Sequence, residues 1–205
     1  MGALWEKLLR QQKDFLGAKL QHHLKHPELS PADYSREYRR ILGVEVLKKK
    51  RVYLDMKYWV YCLDALVGKP QKLIHSDIAT QLMLLVDAGQ IICPANYSLF
   101  CEVFKQGDRQ RRMHMATLVD CLSGMIALQP PDVLLEIELL HMWMKFVKGE
   151  NTVFPLLQLV WQPIGNICGE MVPDSLALDP ATNAALKKNY YDLVSVRTLA
   201  SLVES

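Results

Sequence analysis

Residues 51–68, RVYLDMKYWVYCLDALVG, contain the pattern from which the fold class is predicted. Residues 52–54 form a short apolar run without alternation of polar and apolar side chains, which is typical of a strand buried on both faces of a parallel sheet. Asp55 follows directly, and residues 58–67 carry apolar side chains at helical spacing. The stretch therefore predicts a buried strand that leads into a helix.

Two further short apolar runs, residues 91–93 and 125–128, predict strands of the same kind. Helical periodicity and capping residues fill the segments between and after them. The predicted helices cover residues 58–67, 76–89, 97–106, 109–124 and 130–147. This alternation implies a parallel sheet with right-handed crossovers. The predicted fold class is α/β, with a short parallel sheet flanked by helices.

Residues 1–47 predict an N-terminal helical extension. Residues 4–25 have a loose apolar stripe, and Ser30 followed by Pro31 is a typical start for a second helix. A basic run at residues 48–51 marks a change in composition. We therefore predict two segments, a helical extension over residues 1–47 and the α/β domain over residues 48–205.

The C-terminal part is less regular. Residues 150–178 mix proline and glycine with apolar residues, and both a long loop and an insertion against the core remain open. Asp179 followed by Pro180 predicts the N-cap of a last helix. The apolar pattern of that helix is still periodic at Ser205. This favours a truncated domain or a surface for a partner protein or a second copy.

The composition excludes several classes of protein. Of 205 residues, 50% are hydrophobic and 22% are charged, unlike disordered or collagen-like chains. The net charge of +2 indicates no partner by itself. No apolar run reaches the about 18 residues of a membrane-spanning helix. We therefore expect no membrane contact. The 5 cysteines form no C-x-x-C pair and have apolar sequence neighbours, so we expect buried thiols and a reducing, cytoplasmic location.

Asp55 and Glu102 are the residues with the clearest chemical potential. Asp55 ends the first predicted strand, and ligands of open α/β sheets bind at the carboxyl ends of strands. Its carboxylate can ligate a hard cation or cap the following helix, and both interpretations remain open. Glu102 lies on the helix after the second strand. Two interpretations remain open: it lies on a solvent-exposed helix face, or it faces the ligand-binding crevice at the carboxyl ends of the strands, together with Asp55.

Two weaker candidates lie on the next predicted helix. Asp120 is opposite the apolar stripe of that helix, so solvent exposure is the simpler interpretation; we also consider it as a third metal ligand. Arg109, Arg111 and Arg112 begin the same helix. They form a solvated face or contact the phosphates of a nucleic acid.

Four short segments together resemble bacterial members of the PIN-like nuclease superfamily. They are VYLD at 52–55 with Trp59 four residues on, GQIICP at 89–94, FCE at 100–102 and TLVDCLSG at 117–124. The resemblance covers about residues 51–148, and it implies a three-layer PIN-like fold. It also implies a ribonuclease in which acidic side chains hold one or two Mg²⁺ or Mn²⁺ ions.

By this resemblance, Asp55 matches the first acid of the family and Glu102 the acid on the helix, whereas the later acids have no convincing counterpart. The first hypothesis is thus a metal-dependent nuclease for single-stranded or structured RNA. The alternative is a non-catalytic module that binds protein or RNA on the same scaffold. The candidate site residues are Asp55 and Glu102 as catalytic groups, Asp55, Glu102 and Asp120 as metal ligands, and Arg109, Arg111 and Arg112 as contacts to the nucleic acid.

Overall fold

The structure is a computed structural model, and it describes residues 2–147, 156–168 and 178–204. The chain divides into two compact units, one from residues 1–38 and 170–196 and the other from residues 39–169 and 197–205. We call them the helical unit and the α/β unit. They differ from the predicted segments 1–47 and 48–205, because the helix after Asp179 groups with the N-terminal helices.

Helices make up most of the described chain. They are α1 (Gly2–Lys25), α2 (Pro31–Leu47), α3 (Met56–Leu66), α4 (Leu73–Asp87), α5 (Tyr97–Lys105), α6 (Arg109–Ser123), α7 (Pro131–Met142), α8 (Leu156–Leu159), α9 (Pro180–Ser195) and α10 (Leu199–Glu204). A π-helical turn over Trp143–Val147 continues α7, and a 3-10 turn covers Ile164–Asn166. The helices predicted from periodicity are confirmed, except that the last one is interrupted between α9 and α10. Within the described ranges, no helix combines the length and apolar character that crossing a membrane requires.

The strands are β1 (Lys50–Arg51), β2 (Ile91–Ile92), β3 (Ile126–Leu128) and β4 (Trp161–Pro163). Strands β1 and β2 pair in parallel, as predicted, with Lys50 opposite Ile91 and Arg51 opposite Ile92. The observed strand therefore lies just before residues 52–54, where the sequence predicted it. An α/β arrangement with a short parallel sheet is thus present.

Strand β3 departs from the prediction of a third parallel strand. It pairs antiparallel with β4, which the sequence analysis did not predict. One parallel bridge, between Ala95 and Ala127, joins β3 to the segment after β2. The sequence of residues 150–178 allows a loop or an insertion, and within it the described residues 156–168 supply β4.

The core of the α/β unit surrounds β2 and α6. Its fully buried side chains include Trp59, Leu63, Ile91, Val103, Met115, Val119 and Leu122. Burial of each large apolar side chain contributes about 1.5–3 kcal/mol. Leu199 of α10 is completely buried in the same core, and Val203 packs against it. The sequence predicted that the apolar face at the C-terminal end could bind a partner. In α10, this face packs within the α/β unit instead.

A buried carboxylate connects the helices of the helical unit. Asp192 of α9 is 3% exposed. Its Oδ2 lies 2.7 Å from Nε2 of the buried His23 of α1, and its Oδ1 accepts a hydrogen bond of 2.7 Å from the Tyr34 hydroxyl of α2. Burial, followed by this hydrogen bond, raises the pKa of Tyr34, so its hydroxyl remains a donor. Three helices thus share one carboxylate.

Replacing Asp192 with alanine should destabilise the helical unit strongly. Asp192→Ala leaves the buried His23 and the half-buried Tyr34 hydroxyl without their acceptor, and each buried group left unsatisfied costs about 1–3 kcal/mol. Urea unfolding followed by circular dichroism measures the loss.

The matched control is Glu28→Ala, because Glu28 forms an exposed pair with His26 at 3.0 Å. Its removal should change the free energy of unfolding little, since solvent screens exposed pairs. Equal small effects of the two variants would contradict the role given to Asp192.

Candidate functional site

The carboxyl ends of β1 and β2 form the candidate site. Asp55 and Asn96 are 41 residues apart, as are the paired residues Arg51 and Ile92. They therefore occupy equivalent positions after the two strands. Because the strands are parallel, the segments that follow β1 and β2 leave the sheet at the same edge. Asp55 caps α3 and Asn96 caps α5 at this edge.

Hydrogen bonds fix the two caps and join the strand ends. Asp55 Oδ1 accepts from the Met56 N–H at 2.7 Å. Asn96 Oδ1 accepts from the Leu99 N–H at 2.7 Å, and its Nδ2 donates to the Tyr53 hydroxyl oxygen at 2.8 Å. The capping interpretation of Asp55 is thus confirmed. Its side chain is exposed, and its Oδ2 accepts no hydrogen bond from the described residues, so one oxygen stays available for a ligand.

Glu102 lies on α5, six residues after Asn96, which is about 9 Å along the helix axis. Side chains lean towards the N-terminus of a helix, here towards the strand edge. The carboxylate is half exposed and pairs with Lys105 Nζ at 2.9 Å. This hydrogen bond, together with the charge of Glu102, raises the pKa of Lys105. A cation that takes Glu102 as a ligand must therefore compete with Lys105.

Asp120 is not the solvent-exposed residue that its position on α6 suggested. Its Oδ1 accepts from the Leu199 N–H at 2.6 Å and its Oδ2 from the Ala200 N–H at 2.9 Å. Both oxygens thus hold the first turn of α10. Burial raises the pKa of Asp120, and these two hydrogen bonds oppose that rise. The carboxylate acts as a cap for a helix distant in sequence.

The three candidate arginines have different surroundings. Arg111 pairs with Asp64 at 2.9 Å, and Arg112 donates to the Gln106 carbonyl oxygen at 2.9 Å. Arg109 is exposed, and among the described residues it has no ion-pair partner. Helix α5 rises about 12 Å between the strand edge and this region. The structure therefore places the three arginines away from Asp55, with Arg111 and Arg112 bound to other groups of the chain.

Asp55 at the edge and Glu102 on α5 are the two carboxylates that a cation at this end of the sheet could use. In the part of the chain that the structure describes, no group of three or more histidine, cysteine, aspartate and glutamate residues could hold a metal ion. Mg²⁺, however, keeps several water ligands and binds proteins through one or two carboxylates together with substrate phosphates. The available oxygen of Asp55 and the displaceable pair at Glu102 fit such an open site.

Sequence analysis missed two residues of this edge, Tyr53 and Asn96. Asn96 carried a usable signal, because asparagine directly before a predicted helix is a favoured N-cap. Tyr53 carried none, because it was assigned to the buried strand and is exposed in the structure.

No family model, no curated protein and no solved structure matches this chain. The resemblance to PIN-like nucleases thus rests on the four short segments alone.

The cap at Asp120 predicts a specific pH dependence. A pKa raised above its ordinary value of 3.8 means that the folded protein binds this proton more tightly than the unfolded chain does. The stabilising contribution of Asp120 should therefore fall as the pH rises from 3.8 through the raised pKa. Urea unfolding of wild type and Asp120→Ala from about pH 3 to about pH 7 isolates this contribution as a difference.

Asp179 provides a control of opposite sign. It caps α9, and its hydrogen bonds with Thr182 lower its pKa. The contribution lost in Asp179→Ala is therefore present above pH 3.8 and disappears as the pH falls through the lowered pKa. The same sign of pH dependence for both variants would contradict the assignment at Asp120.

Proposed function

We propose that this chain is a nuclease that hydrolyses RNA phosphodiester bonds with Mg²⁺ or Mn²⁺, at the edge where β1 and β2 end. The observation that supports this most is Asp55, an exposed carboxylate with an available oxygen at the end of a parallel strand. The hydrogen bond between Asn96 and Tyr53 ties this position to the neighbouring strand end. Carboxylates at such an edge are suited to hard cations.

Each residue has a role in this proposal. Asp55 and Glu102 would hold the metal, together with substrate phosphate and water. When bound, it would activate water and stabilise the leaving oxygen. The Met56 N–H holds the Asp55 carboxylate in place, so little reorientation is needed when the cation binds. Arg109 contacts a flanking phosphate of the RNA.

The proposal includes the three-layer PIN-like arrangement and a cytoplasmic location. All five cysteines are free thiols, which is typical of a reducing compartment. Cys62 and Cys93 are buried, and burial raises the pKa of Cys93 to about 11, so this thiol stays protonated. Cys121 and Cys168 are exposed, although their apolar sequence neighbours suggested burial.

A second candidate is a non-catalytic module that binds RNA or protein. One observation favours it. Glu102 is paired with Lys105, and both oxygens of Asp120 are bound within the chain. Asp55 is then the carboxylate most available to a cation. RNA binding without hydrolysis would distinguish this candidate from the nuclease.

The test is Asp55→Asn, because asparagine is as good an N-cap as aspartate but carries no charge for a cation. We expect the variant to fold normally. Its Mg²⁺- or Mn²⁺-dependent cleavage rate should be at least about a hundredfold lower than that of the wild type. Cleavage of a fluorescently labelled single-stranded RNA and of an RNA hairpin measures the rate. Glu102→Gln should lower the same rate.

The matched control is Asp108→Asn. Asp108 is also an exposed N-cap, for α6, and accepts from the Gln110 and Arg111 N–H groups. It should keep the wild-type rate. Full activity of Asp55→Asn would refute the proposed site. If the wild-type protein binds RNA but shows no metal-dependent cleavage, this would support the non-catalytic candidate instead.

A further inference from the structure

The outer face of α7 and the π-helical turn that continues it carries an exposed apolar stripe. The stripe consists of Leu135, Leu139, Met142 and Phe146, which are 56%, 55%, 53% and 70% exposed. Their spacings of four, three and four residues are those of the a and d positions of a heptad repeat. Such a stripe is the surface that one helix presents to another in a coiled coil.

The opposite face of the same helix is less exposed. Val133, Leu134 and Ile137 are half-buried, and no residue of α7 or of the π-helical turn is fully buried. Three further exposed apolar side chains widen the surface beside the stripe, namely Leu140, Trp143 and Val147. A contiguous row of large, mostly exposed apolar side chains is unusual on a monomer and marks an interaction surface.

Charges beside the stripe indicate what covers it. Glu138 precedes Leu139 and Lys145 precedes Phe146, so the N-terminal half is acidic and the C-terminal half is basic. Within the described residues, neither side chain forms an ion pair; Lys145 Nζ lies 5.2 Å from the centre of the Phe146 ring. A surface with this polarity is complementary to itself in the antiparallel orientation.

We propose that two copies of this chain associate through antiparallel pairing of this stripe. A two-fold axis that passes between positions 140 and 141 places Leu139 opposite Met142 of the second copy and Leu135 opposite Phe146 of the second copy. The same axis brings Glu138 towards Lys145 of the second copy, twice by symmetry. A parallel pair would place Glu138 beside Trp143 of the second copy and would lack this charge pairing. The interface is independent of the proposed nuclease site.

Sedimentation velocity of the full chain from about 1 to about 100 µM tests the proposal. We expect a monomer–dimer equilibrium. Glu138→Lys and Lys145→Glu should each weaken the dimer by about tenfold, because each replaces two attractive contacts with two repulsive ones. A mixture of the two variants should restore association. One copy then carries lysine at both positions and the other carries glutamate at both.

A second pair of variants tests the apolar contact. Leu139→Ser should abolish the dimer, whereas Leu73→Ser should not, because Leu73 is an exposed leucine of α4 outside the stripe. Circular dichroism should show that both variants fold, since both leucines are exposed. A wild-type chain that is monomeric at all concentrations overturns the proposal, and so does a dimer that neither charge variant weakens. Either result would leave another segment of this chain, a different protein or a lipid surface to cover the stripe.

Discussion

The backbone pairing of β1 with β2 is the constraint on which the candidate site depends. Lys50 N–H donates to the Gln90 carbonyl and Val52 N–H to the Ile92 carbonyl, both at 2.9 Å. Since the pairing is parallel, the chain leaves both strands at one edge, and α3 and α5 begin there. An antiparallel pair would have sent these two helix starts to opposite ends of the sheet. The backbone pairing therefore determines that the two helices begin at a common edge, and the side chains at that edge do not determine it.

Three carboxylates of the α/β unit have different roles because their surroundings differ. Asp120 is held by two backbone N–H groups and serves the docking of α10. Glu102 is held by one exposed lysine, and exposed ion pairs contribute little in water, so this pair can be exchanged for another. Asp55 is oriented through one oxygen while the other stays open. In the proposed site, Asp55 is therefore the carboxylate that a cation reaches first.

The sequence predicted those features that depend on neighbours along the chain. Helix periodicity and the short apolar runs gave most helices and the parallel pair. Strand β4 was missed, because its three residues, Trp161–Pro163, are too few to show a strand pattern and include a proline. The partners of Asp192 and Asp120 were missed for another reason. His23 is 169 residues from Asp192 and Leu199 is 79 residues from Asp120, and no local pattern reports such contacts. The contact between Tyr53 and Asn96, which spans 43 residues, is of the same kind.

Paramagnetic broadening by Mn²⁺ in amide NMR spectra of the ¹⁵N-labelled chain tests most directly whether one edge brings two helix starts to one cation. The proposed site predicts that amide signals at the start of α3 and in α5 up to Glu102 broaden together at substoichiometric Mn²⁺. Signals at the far end of α3, near Leu66, should broaden less, and Asp55→Asn should remove the effect. Broadening that Glu102→Gln leaves as strong as in the wild type, or no broadening at either helix, would contradict a shared metal site.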